Sequence, residues 1–357
     1  MGRARRNPRH GARGGLAADL SRVWWLEEAL AAGFAGDPAP PLEGDTEADV
    51  AIVGGGYTGL WTALALKERQ PGIDVVVLEA DECGRGPSGR NGGFCHGYWS
   101  HLPRLRERFG DNGALAVARA SEAIIPGVRA FAETAGADVW LRQCGMLRVS
   151  AAPAQDHAVG DEVEAARELG VPDEAVPLSR DELAGRISSP VFREGVFLRD
   201  GATVQPARLA LTLRRVSLGS VRLHERTRVT NVSDGVLETA HGRVRAKEIV
   251  VAVNAAAAGW KPLRRRVTAF GSYVVLTEPV PELLEQIGWT GGEAVLDGRM
   301  FLHYFRTTND GRVLMGSGSG PIGFGGKIDA RFTQDEPTVA RAERGCGVCC
   351  PASPRRR

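Results

Sequence analysis

Apolar residues in this chain fall into two rhythms, and the first clear instance of each lies between residues 49 and 79. Asp49-Val-Ala-Ile-Val53 is a short unbroken apolar run closed by glycines, which predicts a strand buried on both faces. Tyr57 to Arg69 follows, with Leu60, Ala63 and Leu64 on one helical face and Pro71-Gly72 as a stop. Asp74-Val-Val-Val-Leu-Glu79 is a second buried run. Strand, helix and strand in this order form the unit of a parallel sheet. Further along, residues 23–30 predict a short amphipathic helix, 37–44 a Pro/Gly linker, and 112–136 and 155–169 helices. Ser179-Arg-Asp-Glu182 is a capping box that opens another short helix. Strand-like runs occupy 195–199, 221–232, 236–245 and 248–253. A last set at 266–277, 300–306 and 312–315, with Asn309-Asp310-Gly311 as a hairpin turn, predicts an antiparallel sheet. The expected architecture is α/β: a Rossmann-like βαβ module interrupted by an α+β domain, with the chain returning to the module near residue 248.

The connection from the first strand to the helix reads Gly54-Gly55-Gly56-Tyr57-Thr58-Gly59, a G-x-G-x-x-G pattern. Gly54 permits a tight turn, Gly56 lets the backbone approach a pyrophosphate, and Gly59 lets the helix pack closely on the sheet. The helix start at Tyr57 and Thr58 presents N–H groups and a partial positive charge to phosphates. Gly318-Ser-Gly-Pro-Ile-Gly323 matches the same pattern, but no helix is predicted after it, so it reads as a loop. Glu79 ends the second strand 20 residues beyond Gly59, where a carboxylate can accept hydrogen bonds from ribose hydroxyls and disfavours a 2′-phosphate. Ser88-Gly89-Arg90-Asn91-Gly92-Gly93 then leaves the carboxyl edge of the sheet, where cofactors lie. Its glycines let backbone pass a flat ring, Ser88 and Asn91 can bond phosphate or ring atoms, and Arg90 can neutralise pyrophosphate charge.

These two glycine runs, with Thr203-Val-Gln-Pro-Ala-Arg-Leu209, Glu248-Ile-Val-Val-Ala-Val-Asn-Ala255, Thr277-Glu-Pro279, Tyr304-Phe-Arg306 and Asp310-Gly-Arg312, resemble the D-amino-acid oxidase superfamily of FAD enzymes. The branch they are most similar to is the γ-glutamylputrescine oxidase type. Gly84-Arg-Gly-Pro87 departs from the Ala and Trp usual before the second run. The resemblance implies a glutathione-reductase-like FAD domain and hydride transfer to flavin from the carbon beside a nitrogen, with a small amine or amino acid as substrate. It implies that Val229, in a strand after Thr227, cradles adenine and that the strand before Asn254 returns beneath the cofactor. Arg90, Asn91, His303 and Tyr304 become pocket candidates; His303, Tyr304 and Arg90 are the candidates for catalysis, and His96 and His101 lie near the flavin loop. The implied division is a basic tail at 1–18, a helix and linker at 19–47, the FAD domain at 48–100 and 201–260, and the substrate domain at 101–200 and 261–344. An NAD-linked dehydrogenase is the alternative chemistry.

Composition narrows this further. The net charge of +2 conceals an acidic body: without Arg3, Arg5, Arg6, Arg9, Arg13 and Arg355 to Arg357, 37 basic residues face 43 acidic ones. That argues against a nucleic-acid partner. No apolar run is long enough to span a membrane. The scattered Cys83, Cys95 and Cys144 fit a reduced, cytoplasmic enzyme. The spacing Cys346-x-x-Cys349 lacks a second ligand pair, so no metal is expected. Past Arg344 the resemblance fades, and residues 345–357 read as the aberrant tail of a truncated or frame-shifted chain, which raises a catalytically dead remnant as a further alternative.

Overall fold

A computed structural model describes residues 23–260 and 263–350. The expectations for the basic tail at 1–18 and for Arg355 to Arg357 fall outside these residues.

A six-stranded sheet carries the predicted β-α-β unit. Its spatial order is Asn231–Ser233, Val236–Glu238, Arg243–Val251, Thr46–Val53, Val75–Leu78 and Arg222–His224. The last four of these run parallel, and the first three are joined antiparallel. Val50, Ile52, Val75 and Val77 pack on one face with Leu60 and Ala63 of the helix Tyr57–Arg69, and with Leu209 and Leu213. Ala51, Val53, Val76 and Leu78 pack on the other face with Leu237 and Val244. Burial on both faces is why these strands read as unbroken apolar runs.

A seven-stranded sheet forms the second layer. Its order is Tyr273–Leu276, Val313–Ser317, His303–Thr307, Ala294–Asp297, Met146–Ser150, Glu194–Leu198 and Val176–Leu178. Neighbours are antiparallel except Ala294–Asp297 beside Met146–Ser150, which are parallel. A small antiparallel sheet of Phe94–His96, Gly201–Thr203 and Arg142–Gln143 lies where the chain passes between the two layers.

Several expectations shift. The helix expected at 112–136 is two helices, Leu102–Ser121, kinked at Gly110 where φ is +68°, and Ile124–Thr134. The run 221–232 is not one strand: Glu225 turns fully inward and Arg226 adopts φ +51°, which ends the pairing after His224. The runs 236–245 and 248–253 are redrawn as Val236–Glu238 and Arg243–Val251, joined by a turn in which Thr239 N–H donates to the Gly242 carbonyl at 3.0 Å. The capping box at Ser179 and Glu182 is present as read. Past Arg344 there is no structural break: the helix Glu336–Cys349 runs through it, and Cys346, Cys349 and Cys350 are buried with Phe305 and Met315. Among the described residues, no helix is long and apolar enough to cross a membrane, and no cluster of His, Cys, Asp or Glu is placed to hold a metal.

The helix Pro206–Leu218 is an unpredicted element. Gln205 caps it by accepting from Arg208 N–H at 2.9 Å, and Pro206 takes the first turn. Its Arg214 meets Glu225, 0% exposed, through Nε at 2.7 Å and Nη2 at 2.8 Å. Glu225 also accepts from Ala39 N–H and Cys83 N–H, each at 2.7 Å. Burial pushes this carboxyl up, but the hydrogen bonds from Arg214, Cys83 and Ala39 outweigh it and hold the carboxyl below its ordinary range. Removing either partner would strand a buried charge, at a cost of about 3–5 kcal/mol.

Glu162 behaves oppositely. It lies on the helix Asp156–Glu168, 2.7 Å from Arg148, with one carboxylate oxygen lacking a partner. Burial lifts its pKa from 4.5 to about 7, against the pull of Arg148. A carboxyl raised on folding contributes stability that is complete below its unfolded pKa and is lost as pH climbs through the folded one. Chemical denaturation should therefore show the protein losing on the order of 2–3 kcal/mol through this group between about pH 4.5 and 7. Glu162→Gln should flatten that slope; an unchanged slope would show that the carboxyl is not titrating in this window.

Candidate functional site

The glycine turn lies at the carboxyl end of Thr46–Val53, and each glycine of the pattern answers a different crowding. Gly54 adopts φ +111°, and a β-carbon there would lie 2.4 Å from the Ala252 carbonyl oxygen. A β-carbon on Gly59 would come 1.9 Å from the Gly54 carbonyl oxygen, so only glycine lets the helix press against the turn. At Gly56 the nearby atom is the Ser88 hydroxyl, 2.8 Å from a β-carbon position. The two glycine loops therefore touch. Tyr57 N–H donates to Ser88 Oγ at 2.9 Å, and the Tyr57 hydroxyl donates to the Pro206 carbonyl at 2.7 Å. Burial raises the Tyr57 phenol well above its ordinary range. Gly56, at the cap position, supplies no side-chain acceptor to the first turn, and Thr58 is exposed there. A helix start of this kind can receive an anion.

Glu79 stands at the end of Val75–Leu78 as expected, with its carboxylate tied to backbone. Oε2 accepts from Gly55 N–H at 2.7 Å and Oε1 from Asp81 N–H at 2.9 Å. Each oxygen keeps a second lone pair for a ligand hydroxyl. Thr227 N–H donates to the Glu79 carbonyl at 2.7 Å, which holds the following segment alongside. Val229 lies in that segment, half-buried against the core beneath Leu78. It is not in a strand, contrary to expectation, because regular pairing resumes only at Asn231. Asn254 opens a short helical turn with φ +48° and is exposed.

The second loop is stapled from within. Asn91 Nδ2 donates to the carbonyls of Ser88 at 2.8 Å and Pro87 at 3.2 Å, while its Oδ1 accepts from Gly93 N–H at 2.8 Å. The Asn91 amide thus shapes the loop rather than standing free for a ligand. Arg90 Nε donates to the Arg85 carbonyl at 2.5 Å, and among the described residues its charge has no ion-pair partner. Gly92 and Gly93 face the strand His303–Thr307: a β-carbon on Gly92 would lie 2.9 Å from the Tyr304 ring, and one on Gly93 would lie 3.2 Å from the Arg306 guanidinium.

Alternation along that strand separates the two catalytic candidates it carries. Tyr304 points to the loop, with Gly316 vacating the space behind its ring, Phe94 meeting it edge-on at 5.8 Å, and its hydroxyl 2.9 Å from Ser272 Oγ. Burial raises its phenol pKa. His303 points the other way, towards Gly345 of the final helix. There it contacts Arg299 Nη1 at 2.8 Å, and burial together with Arg299 pushes its imidazole down against the opposing pull of Asp297. His96 contacts the Gly97 carbonyl at 2.7 Å and stacks on His101 at 6.0 Å between ring centroids. Two features were absent from the sequence reading. Arg306 shares Tyr304's face, a placement that i, i+2 alternation signals. The helix Trp24–Ala29 lies against the second loop, with Leu26 beside Gly89. An open groove of about 660 Å³ lined by His157, Glu164, Arg167 and Pro177 contains none of the glycine-loop residues.

Residues 49–354 match the family model described as FAD dependent oxidoreductase, so the match continues beyond Arg344. A probable oxidoreductase, OrdL, of Rhizobium meliloti is 31% identical over 323 residues, covering 87% of this chain and 70% of the relative. A γ-glutamylputrescine oxidoreductase of Escherichia coli is 30% identical over 293 residues, covering 79% of this chain and 67% of the relative. The fold is similar to that of glycine oxidase from Geobacillus kaustophilus, with a TM-score of 0.66 and 22% identity over 85% of this chain and 78% of that one.

Helix propensity and crowding make opposite predictions at Gly59. Alanine in a helix is favoured over glycine by about 1 kcal/mol. The 1.9 Å approach to Gly54 O should outweigh this, so Gly59→Ala should lose about 1–3 kcal/mol or more in urea denaturation. A variant as stable as the parent would mean that the turn yields freely.

Proposed function

The chain belongs to the FAD-dependent oxidoreductase family, and we propose that it oxidises a C–N bond of a small amine or amino acid, with bound FAD supplying the hydride acceptor. The observation that carries this reading is the contact of the two glycine loops. The close approaches at Gly54 and Gly59 leave a bare helix start, and Ser88 brings the second loop against it. On this reading Gly54, Gly56, Tyr57, Thr58 and Gly59 line the pyrophosphate, with backbone N–H groups as donors. Glu79 accepts from the ribose hydroxyls through its remaining lone pairs, and Val229 lies alongside adenine. Arg90 brings an uncommitted positive charge to the phosphates. Ser88 and Asn91 act by holding the second loop in shape, while Gly92 gives the ring room and Asn254 turns the chain beside it.

The substrate nitrogen enters as the neutral amine, so its lone pair assists departure of the hydride and no protein base is required. Loss of the nitrogen proton gives the imine, and water hydrolyses that to a carbonyl compound and a free amine or ammonia. Tyr304, facing the loop, is the residue best placed to line the substrate side. The orientation of the strand removes His303 from that role. The names of the relatives, a γ-glutamylputrescine oxidoreductase and a glycine oxidase, support an amine or amino-acid substrate.

The test is anaerobic mixing of the FAD-loaded protein with a panel of polyamines, monoamines and amino acids while the yellow flavin band is followed. Bleaching by at least one amine or amino acid is expected. A flavin that stays oxidised with every nitrogen substrate, yet is bleached by 2-hydroxy acids or by NADH, would overturn the assignment.

A further inference from the structure

Arg306 is 1% exposed, and among the described residues it has no carboxylate partner. Arg148, the other arginine in the strands Met146–Ser150 to Val313–Ser317, is paired with Glu162, and Arg299 and Arg312, in the turns beside these strands, are paired with Asp297 and with Asp310 and Glu278. Arg306 instead stacks over Trp25, 5.0 Å from the ring centroid, and Nη1 donates to the Gly93 carbonyl at 3.2 Å. Its Nε has no acceptor, and neither has the Trp25 indole N–H. Burial pushes its pKa down to about 9, so the guanidinium is charged at neutral pH.

An unpaired buried charge is costly, and an unsatisfied buried donor adds to that cost. The stacking on Trp25 and the single bond to Gly93 offset only part of that cost. The charge does have a fixed direction. It is pressed against the backbone of Gly93, whose φ of +69° and 2.2 Å approach to the Val204 carbonyl, measured from a β-carbon position, leave the loop no other course. A charge in a low-dielectric interior is felt over several ångströms, and charge near a flavin tunes its electronics.

We propose that Arg306 is a positioning residue for the flavin: its uncompensated charge, held behind Gly93, steadies the Arg90-to-Gly93 loop and favours the reduced, anionic cofactor. This rests on the FAD reading above. The cost of the orphan donors is then offset in the loaded protein, where negative charge arrives on the far side of the loop.

The experiment measures the FAD dissociation constant and the flavin midpoint potential in FAD-reconstituted protein. Arg306→Lys keeps the charge, and Arg306→Gln keeps a donor for Gly93 but loses the charge. Cys144→Asp, made in an Arg142→Gln background because Arg142 is the stronger positive charge acting on this position, leaves Arg306 in place and brings a carboxylate into its field. Arg306→Gln and Cys144→Asp should both lower the midpoint potential and weaken FAD binding by about tenfold or more, the scale of one lost charge-assisted interaction. Arg306→Lys should stay close to the parent. A potential that does not move in Cys144→Asp overturns the proposal even if Arg306→Gln fails to fold, and so does an unmoved potential in a folded Arg306→Gln. Failure of the FAD reading is separable, because the unsubstituted chain would then bind no FAD in the same titration.

Discussion

The structure turns on a backbone contact that only glycine allows. The Ala252 carbonyl lies 2.4 Å from where a β-carbon on Gly54 would stand, and the Gly54 carbonyl lies 1.9 Å from the same position on Gly59. At this point the first strand ends, the helix Tyr57–Arg69 begins, and the strand Arg243–Val251, nearly two hundred residues later, passes out of the sheet. Any side chain here would push helix and strands apart and close the opening at the helix start. A second close contact, of Gly92 and Gly93 with the side chains of Tyr304 and Arg306, seats the Ser88-to-Gly93 loop on the other sheet. The candidate site is the space defined by these two contacts, and its chemistry depends on both.

Buried polar pairs hold the outlying segments to this frame. Glu225 gathers Ala39, Cys83 and Arg214 from three separate stretches of chain. Gln205 does similar work at the other end of the same helix, donating to the Trp25 carbonyl at 2.7 Å while capping the helix start. The segment from Trp24 to Leu42 is thereby wrapped around the nucleotide module and brings Trp25 under Arg306. Such pairs give register more than net stability, since their desolvation offsets much of their attraction.

What could be read in advance follows the range of the forces involved. The β-α-β unit, the helix Tyr57–Arg69 and the Ser179 capping box depend on neighbours within a few residues, and their patterns were plain. The helix Pro206–Leu218 carries a weaker signal, Pro206 at its first turn and Leu209 and Leu213 one turn apart, between stronger strand-like runs. The end of the strand at His224 could not be read, because it is set by Glu225 turning inward to an arginine on another element. The site divides in the same way. Gly54, Gly59 and Glu79 stand where their spacing placed them, whereas Asn91 proved to be a loop staple. His303 and Tyr304, adjacent in sequence, face opposite sides of one sheet. Cys346, Cys349 and Cys350 lie in the core with Phe305 and Met315, a long-range packing that local sequence does not signal.

Whether the paired glycine loops form a site for FAD is decided by calorimetric titration of the purified chain with FAD and, separately, with NAD⁺. Saturable binding of one FAD per chain, with no heat from NAD⁺, is expected. Binding of NAD⁺ with none of FAD would contradict it, and would reassign the Ser88-to-Gly93 loop as a structural connection between the two sheets.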